Sequence, residues 1–193
     1  ECSFGSAPRS LRVDGSLIAD YRTHRNEIRN EVFASTSYLI FVLSGSKTVV
    51  SHDMEVTVSS GDFLFVKSGR YIVSHVVPPD GGNYYALVVF LDDAMMRSFA
   101  ADYPGMLSGG SDEGPLWVKG RTTPLLGSCM DSLIPYFSHD SQNASMILKH
   151  KFYEIILNLL DSGCRDGVRR IFRSILAESN ANLRLYMEKS YFL

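Results

Sequence analysis

Ser37-Tyr38-Leu39-Ile40-Phe41-Val42-Leu43-Ser44-Gly45, followed further on by Gly61-Asp62-Phe63-Leu64-Phe65-Val66, is the stretch whose reading decides the fold. Aromatic and β-branched residues crowd together and stop at glycine-bearing turns, which is the composition of short buried strands. Working outward, Lys47 to Ser51, Glu55 to Val58, Tyr71 to Val77 and Tyr84 to Leu91 have the same character. Ser44-Gly45-Ser46, Ser59-Ser60-Gly61, Lys67-Ser68-Gly69 and Pro78 to Asn83 separate them as turns. Strand character extends from Arg9 to about Leu91 with no helical period between the runs, so an antiparallel sandwich or barrel is expected.

After Asp92 the period changes. Asp92 or Asp93 is placed to cap a helix running to about Tyr103, before Pro104-Gly105. Met106 to Arg121 is rich in Gly and Ser and reads as a surface connection. Thr123 before Pro124 is a cap and first-turn pair, and Leu126, Met130, Leu133, Ile134 and Phe137 follow at helical spacing until Pro135 kinks or ends the helix. A third helix is expected from about Ala144 to Asp161, stopped by Gly163. Gly167 opens a fourth, with Val168, Ile171, Phe172, Ile175 and Leu176 as its apolar stripe. Asn180-Ala181-Asn182 reads as a break before a last helix. The fold class is therefore α+β, with a β-barrel and following helix in residues 1–105, a connecting loop in 106–121, and a helical subdomain in 122–178. Residues 179–193 form the start of a further helical unit. The chain begins at Glu1 and ends among Leu185, Tyr186, Met187, Tyr191, Phe192 and Leu193 without a polar tail, so an excised piece of a longer protein is expected.

The 193 residues carry a formal net charge of -2, with 45% hydrophobic and 21% charged residues. That balance suits a globular protein and lacks the basic excess of a self-sufficient nucleic-acid binder. Cys2, Cys129 and Cys164 are odd in number, widely spaced and without a C-x-x-C pair, which argues for a reducing compartment and against a zinc site. No apolar run approaches the ~20 residues that span a bilayer. The expectation is a cytoplasmic protein with no membrane contact and no cofactor.

The third helix has two apolar faces. Leu148, Phe152, Ile155, Ile156 and Leu159 form the face expected toward the core, and Met146, His150, Tyr153 and Leu157 form a second stripe. Either the helix is buried on two sides within its own chain, or the second stripe is a dimerisation face repeated across a twofold axis. Catalysis is disfavoured, because the sequence offers no G-x-S-x-G elbow, no phosphate loop and no Cys with an identifiable His partner. His24, His52 and His139 lie in polar surroundings, and His75 reads as an exposed or hydrogen-bonded strand residue. Tyr38, Ile40, Phe63, Phe65 and Tyr71 are the candidates for lining a barrel cavity, or for simply filling the barrel.

The turn Val42-Leu43-Ser44-Gly45 and the later Gly61-Asp62 turn resemble those that punctuate the cupin barrel. Metal-dependent cupins carry an H-x-H pair and a glutamate on the strand entering the first turn. Here Asn30 to Phe41, read as that strand, has no histidine, and Tyr38 stands near the glutamate's place, so a metal enzyme is not implied. A cupin-like barrel followed by helices resembles the N-terminal regulatory half of AraC-type transcription regulators, closest to the ExsA-like activators of type III secretion genes. Leu64 to Ser74, Thr123 to Cys129 and Leu185 to Tyr191 carry that resemblance, in this order. It implies a homodimer, control by an anti-activator or another regulatory protein, residues 179–193 as the truncated start of a helix-turn-helix DNA-binding domain, and DNA contact only through the rest of that domain beyond Leu193. A small-ligand sensor of the same family and a degenerate cupin enzyme are the alternatives.

Overall fold

The computed structural model describes residues 9–139 and 141–191, with side chains described as far as Glu178. Strands β1 (Arg9–Val13), β2 (Ser16–Thr23), β9 (Tyr84–Leu91), β4 (Ser37–Ser44), β7 (Asp62–Val66) and β10 (Trp117–Arg121) form one antiparallel sheet in that spatial order. Strands β3 (Glu27–Ala34), β8 (Gly69–Val76), β5 (Ser46–Val50) and β6 (Glu55–Ser59) form a second sheet packed against it. The two sheets make the cupin-like barrel, so the α+β class holds. Asn30 to Phe41 is two strands, not one: Ser35-Thr36 lets the chain leave β3 in one sheet and enter β4 in the other.

Helices α1 (Asp93–Asp102), α2 (Pro124–Asp131), α3 (Ala144–Leu160) and α4 (Arg165–Tyr191) cover the outer face of the six-stranded sheet. Their starts follow the caps legible in the sequence. Asp92 accepts a hydrogen bond from the Met95 N–H at 2.6 Å, and Thr123 accepts one from the Leu126 N–H at 3.2 Å. Pro135 sits in a separate 3-10 turn, Ile134–Phe137, so α2 is shorter than its apolar stripe suggested. The segment read as a surface connection contains β10, which pairs with β7 and closes the sheet edge. Asn180-Ala181-Asn182 does not interrupt α4, which continues through it. Asparagine is a weak helix former but no breaker, and neither Gly nor Pro stands there.

Two cores result. Tyr38, Ile40, Val42, Leu64, Val66, Tyr84 and Ala86 face the four-stranded sheet, whereas Leu39, Phe41, Phe63, Phe65, Leu87 and Val89 face the helices. Register is held at the turns: Gly45 and Gly61 have φ of 80° and 82°, and the Gly61 N–H donates to the Val42 carbonyl at 2.9 Å. Asp62 is buried, which alone would raise its pKa. The Ser59 N–H and Arg121 donate to it and Lys119 lies 3.4 Å away, and together they lower the pKa.

α4 enters against β10 at Gly167, where a Cβ would lie 2.2 Å from Val118 Cγ2. Helix propensity alone favours Gly167→Ala by about 1 kcal/mol. The overpacking should win, giving a net loss of about 1–3 kcal/mol in urea unfolding. Val118→Ala in the same chain should recover part of it. A stabilised Gly167→Ala would show that α4 does not pack this closely.

Candidate functional site

The barrel interior is aromatic. Tyr38 packs edge-on to Tyr71 with ring centroids 5.8 Å apart, and tilted against Phe90 at 5.8 Å. Tyr38, Ile40 and Tyr71 thus lie between the sheets. Phe63 and Phe65 do not. They point to the helical layer, where Phe65 meets Phe172 at 6.4 Å and Phe63 meets Phe41 at 6.0 Å. β7 is buried on both faces, so alternation between apolar and polar residues cannot show which of its side chains look into the barrel.

A polar cluster that sequence reading missed lies in the barrel around His75. Only 2% exposed, the imidazole stacks on Tyr84 at 4.7 Å, meets Tyr21 edge-on at 5.5 Å and places Nδ1 3.9 Å from Glu27 Oε2. The signal was its parity with Tyr71 and Val73, which puts it on the inward face of β8. Lys47 holds its ammonium 6.0 Å from the centroid of the Tyr84 ring. Burial pushes the Lys47 pKa down to about 8 against the pull of Glu27, and pushes Tyr21 up to about 12 with the help of Glu27. His75 Nε2 and the hydroxyls of Tyr38 and Tyr84 have no hydrogen-bond partner among the described residues. No group of three metal-ligating side chains occurs among those residues.

On α3, the four residues of the second stripe have different surroundings. Met146 is 67% exposed and His150 is open, while Leu157 is half-buried against the helical core. Tyr153 is buried within its own chain: it packs edge-on to Phe99 at 5.3 Å and donates from its hydroxyl to Asp102 Oδ2 at 2.9 Å. α1 covers this part of α3, which is why one stripe serves two surroundings. Between them opens a cleft of about 350 Å³, edged by Tyr103, His150, Tyr153, Leu157 and Asn158.

α4 is tied down at several points between Arg169 and Glu178. Phe172 lies between Phe65 and Phe99. Arg169, Arg170 and Arg173 donate to backbone carbonyls of Met106, Leu107, Gly109, Ser111 and Pro115, and Arg173 also to Asp112 at 2.5 Å. Lys67, at the end of β7, donates to Ser174 Oγ at 2.8 Å and to Glu178. Among the described residues, no helix is long and apolar enough to cross a membrane.

The His75 pKa is lowered, by burial first and by Lys47 second, while Glu27 and a hydrogen bond with the Arg25 backbone oppose them. The folded protein therefore holds fewer protons than the unfolded chain just below the ordinary histidine value of 6.5. Stability contributed here is present above that pH and lost as the pH falls through it. Melting temperature should drop in mild acid, and His75→Phe, which keeps the ring stacked on Tyr84, should flatten that drop. An unchanged acid profile in His75→Phe would place the sensitivity elsewhere.

A family model for the ExsA N-terminal regulatory domain matches residues 37–168. No curated protein matches the chain in sequence. Among solved structures, apo ToxT K231A from Vibrio cholerae strain SCE256 superposes with a TM-score of 0.58 at 13% identity, covering 77% of this chain and 56% of that one. Wild-type ToxT from the same strain, bound to an unsaturated fatty acid, gives 0.54 at 13% identity, with 88% and 65% covered. A cupin superfamily protein from Desulfitobacterium hafniense DCB-2 gives 0.36 at 17% identity, with 45% and 78% covered. The chain spans little more than half of the first of these ToxT chains, and at such identities the likeness is one of fold. The family match begins at the first residue of β4 and ends in the first turn of α4, taking in the six-stranded sheet's central strands and the helices laid on them. The chain thus belongs to the ExsA N-terminal regulatory domain family, the regulatory part of AraC-type transcription regulators.

Proposed function

We propose that this regulatory domain dimerises through the second face of α3 and controls a DNA-binding half beyond Leu193 through a protein partner. The observation that carries this reading is the open end of that face beside the cleft. Met146, His150, Tyr153 and Leu157 are spaced four, three and four residues apart, a palindrome along the helix. Two copies of α3 crossing antiparallel on a twofold axis therefore set Met146 against Leu157 of the partner subunit. The exposed Met146 thioether then faces the partner's cleft, and the same contact forms twice. Dimerisation joins two DNA-binding units, so the second binding event becomes intramolecular and affinity rises about 10²–10⁴-fold. A partner that masks this face removes that gain without touching DNA.

The family points to activation of type III secretion genes, to a cytoplasmic protein and to a non-enzymatic role; the aromatic filling of the barrel supports control by protein contact. A second reading, a small ligand within the barrel, is favoured by the unpartnered His75 Nε2 beside Lys47. ToxT with its bound fatty acid, a protein of similar fold, gives that reading its precedent.

The test is sedimentation equilibrium of the chain and of Met146→Asp with His150→Glu. Both positions are exposed, so the fold should persist by circular dichroism. The dimer dissociation constant should rise about a hundredfold or more, because each charge enters the interface twice. A variant that sediments as a dimer like the parent would sink this face as the interface.

A further inference from the structure

A second cleft, of about 360 Å³, lies where the mouth of the barrel meets α4. Lys67, Arg70, Tyr71, Trp117, Met54 and Glu178 shape it. Its volume is at the low end of the roughly 300–1,000 Å³ found for small-molecule sites. The Lys67 side chain is only 12% exposed, so its ammonium needs an acceptor of opposite charge. That acceptor is Glu178, whose own side chain is 63% exposed. The Arg70 side chain, exposed on the rim, has no ion pair or hydrogen bond among the described residues. The remaining acid, Asp53, is already held by Ser51 at 2.6 Å and by His52 at 3.3 Å.

We propose that this cleft binds a small carboxylate with an aromatic or short aliphatic body, which takes Lys67 from Glu178. The exchange leaves the half-buried ammonium satisfied, because one carboxylate replaces another. Arg70 supplies a second, uncommitted donor, and guanidinium–carboxylate bonds are among the strong charge-assisted ones. Trp117, Tyr71 and Met54 give the ligand's body an apolar wall, and Tyr71 is fixed there by donating its hydroxyl to the Lys67 carbonyl at 2.5 Å. With Glu178 displaced, α4 loses the one tie to the barrel beyond Ser174 among the described residues. That consequence rests on α4 leading to the DNA-binding half; the binding itself does not.

Trp117 is the chain's single tryptophan, so its fluorescence reports directly on the cleft. Titration of this chain with hydrocinnamate should give a saturable change, and the neutral hydrocinnamamide should give none. Arg70→Ala should weaken binding about fivefold, as loss of one charge-assisted contact would. Glu178→Gln should tighten it about threefold by removing an exposed competitor for Lys67. No saturable response, an equal response to the amide, or indifference to both substitutions would overturn the proposal. Sedimentation of the same samples keeps this outcome separate from the question of the dimer.

Discussion

The burial of β4 and β7 on both faces is the constraint on which the rest of the molecule depends. Each of these strands sends alternate side chains into two different cores: Ile40, Val42, Leu64 and Val66 between the sheets, Leu39, Phe41, Phe63 and Phe65 under the helices. A slip of one residue would exchange the two sets wholesale. Each fully buried side chain of this kind stabilises the fold by about 1.5–3 kcal/mol, so the register is strongly specified. The turns reinforce it from outside the cores, through the Gly61 N–H bonded to Val42 and through Asp62 gathered by Ser59, Lys119 and Arg121. Gly120 adds a steric lock, since a Cβ there would meet the Phe63 ring at 2.6 Å.

The same alternation connects the barrel to α4. Phe63, Phe65 and Lys67 share the helix-facing side of β7 and its exit. The last two meet successive stretches of α4: Phe65 packs on Phe172, and Lys67 bonds to Ser174 and Glu178. The residues immediately beyond, Arg70 and Tyr71, already belong to the barrel mouth and the second sheet. A change at that mouth is thus only a few bonds of backbone from Lys67 and its contacts with α4. No long relay through packed side chains is required.

Local chemistry was legible in the sequence wherever one residue decides one feature. Asp92 and Thr123 cap the helices they precede, because a side-chain oxygen must satisfy otherwise open N–H groups. Tyr71 stands on the inward face of β8 by strand parity, whereas β4 is apolar on both faces and parity gives Tyr38 and Ile40 no direction. Phe63 and Phe65 were misplaced because a strand apolar on both faces carries no parity signal. β10 was hidden because Trp117-Val118-Lys119-Gly120-Arg121 has strand propensity for only part of its length and gains its ladder from β7. Tyr153 could not be assigned from α3 alone. Its burial depends on Phe99 and Tyr103, which the chain brings from α1 and the residue that follows it. In sequence His75 reads as an exposed or hydrogen-bonded strand residue, although its spacing from Tyr71 and Val73 marks the inward face of β8, where it is buried.

The ties on α4 are unequal, and this decides where regulation acts at least cost. Phe172 is fully buried between aromatic rings, and deleting such a side chain typically costs about 3–5 kcal/mol. The contacts at its more exposed edges are of another order. Asp112 and Glu178 have side chains 81% and 63% exposed against partners only 25% and 12% exposed, so solvent screens one end of each ion pair and weakens it. Among the described residues, α4 is therefore fixed with the core as far as Ile175, while Glu178 is held by a contact that a competitor replaces more easily. A ligand or protein shifts an equilibrium only by its differential affinity for the two states. At Phe172 that differential would have to match the cost of opening a core. At Lys67 and Glu178 it need only exceed one ion pair whose carboxylate end lies in solvent.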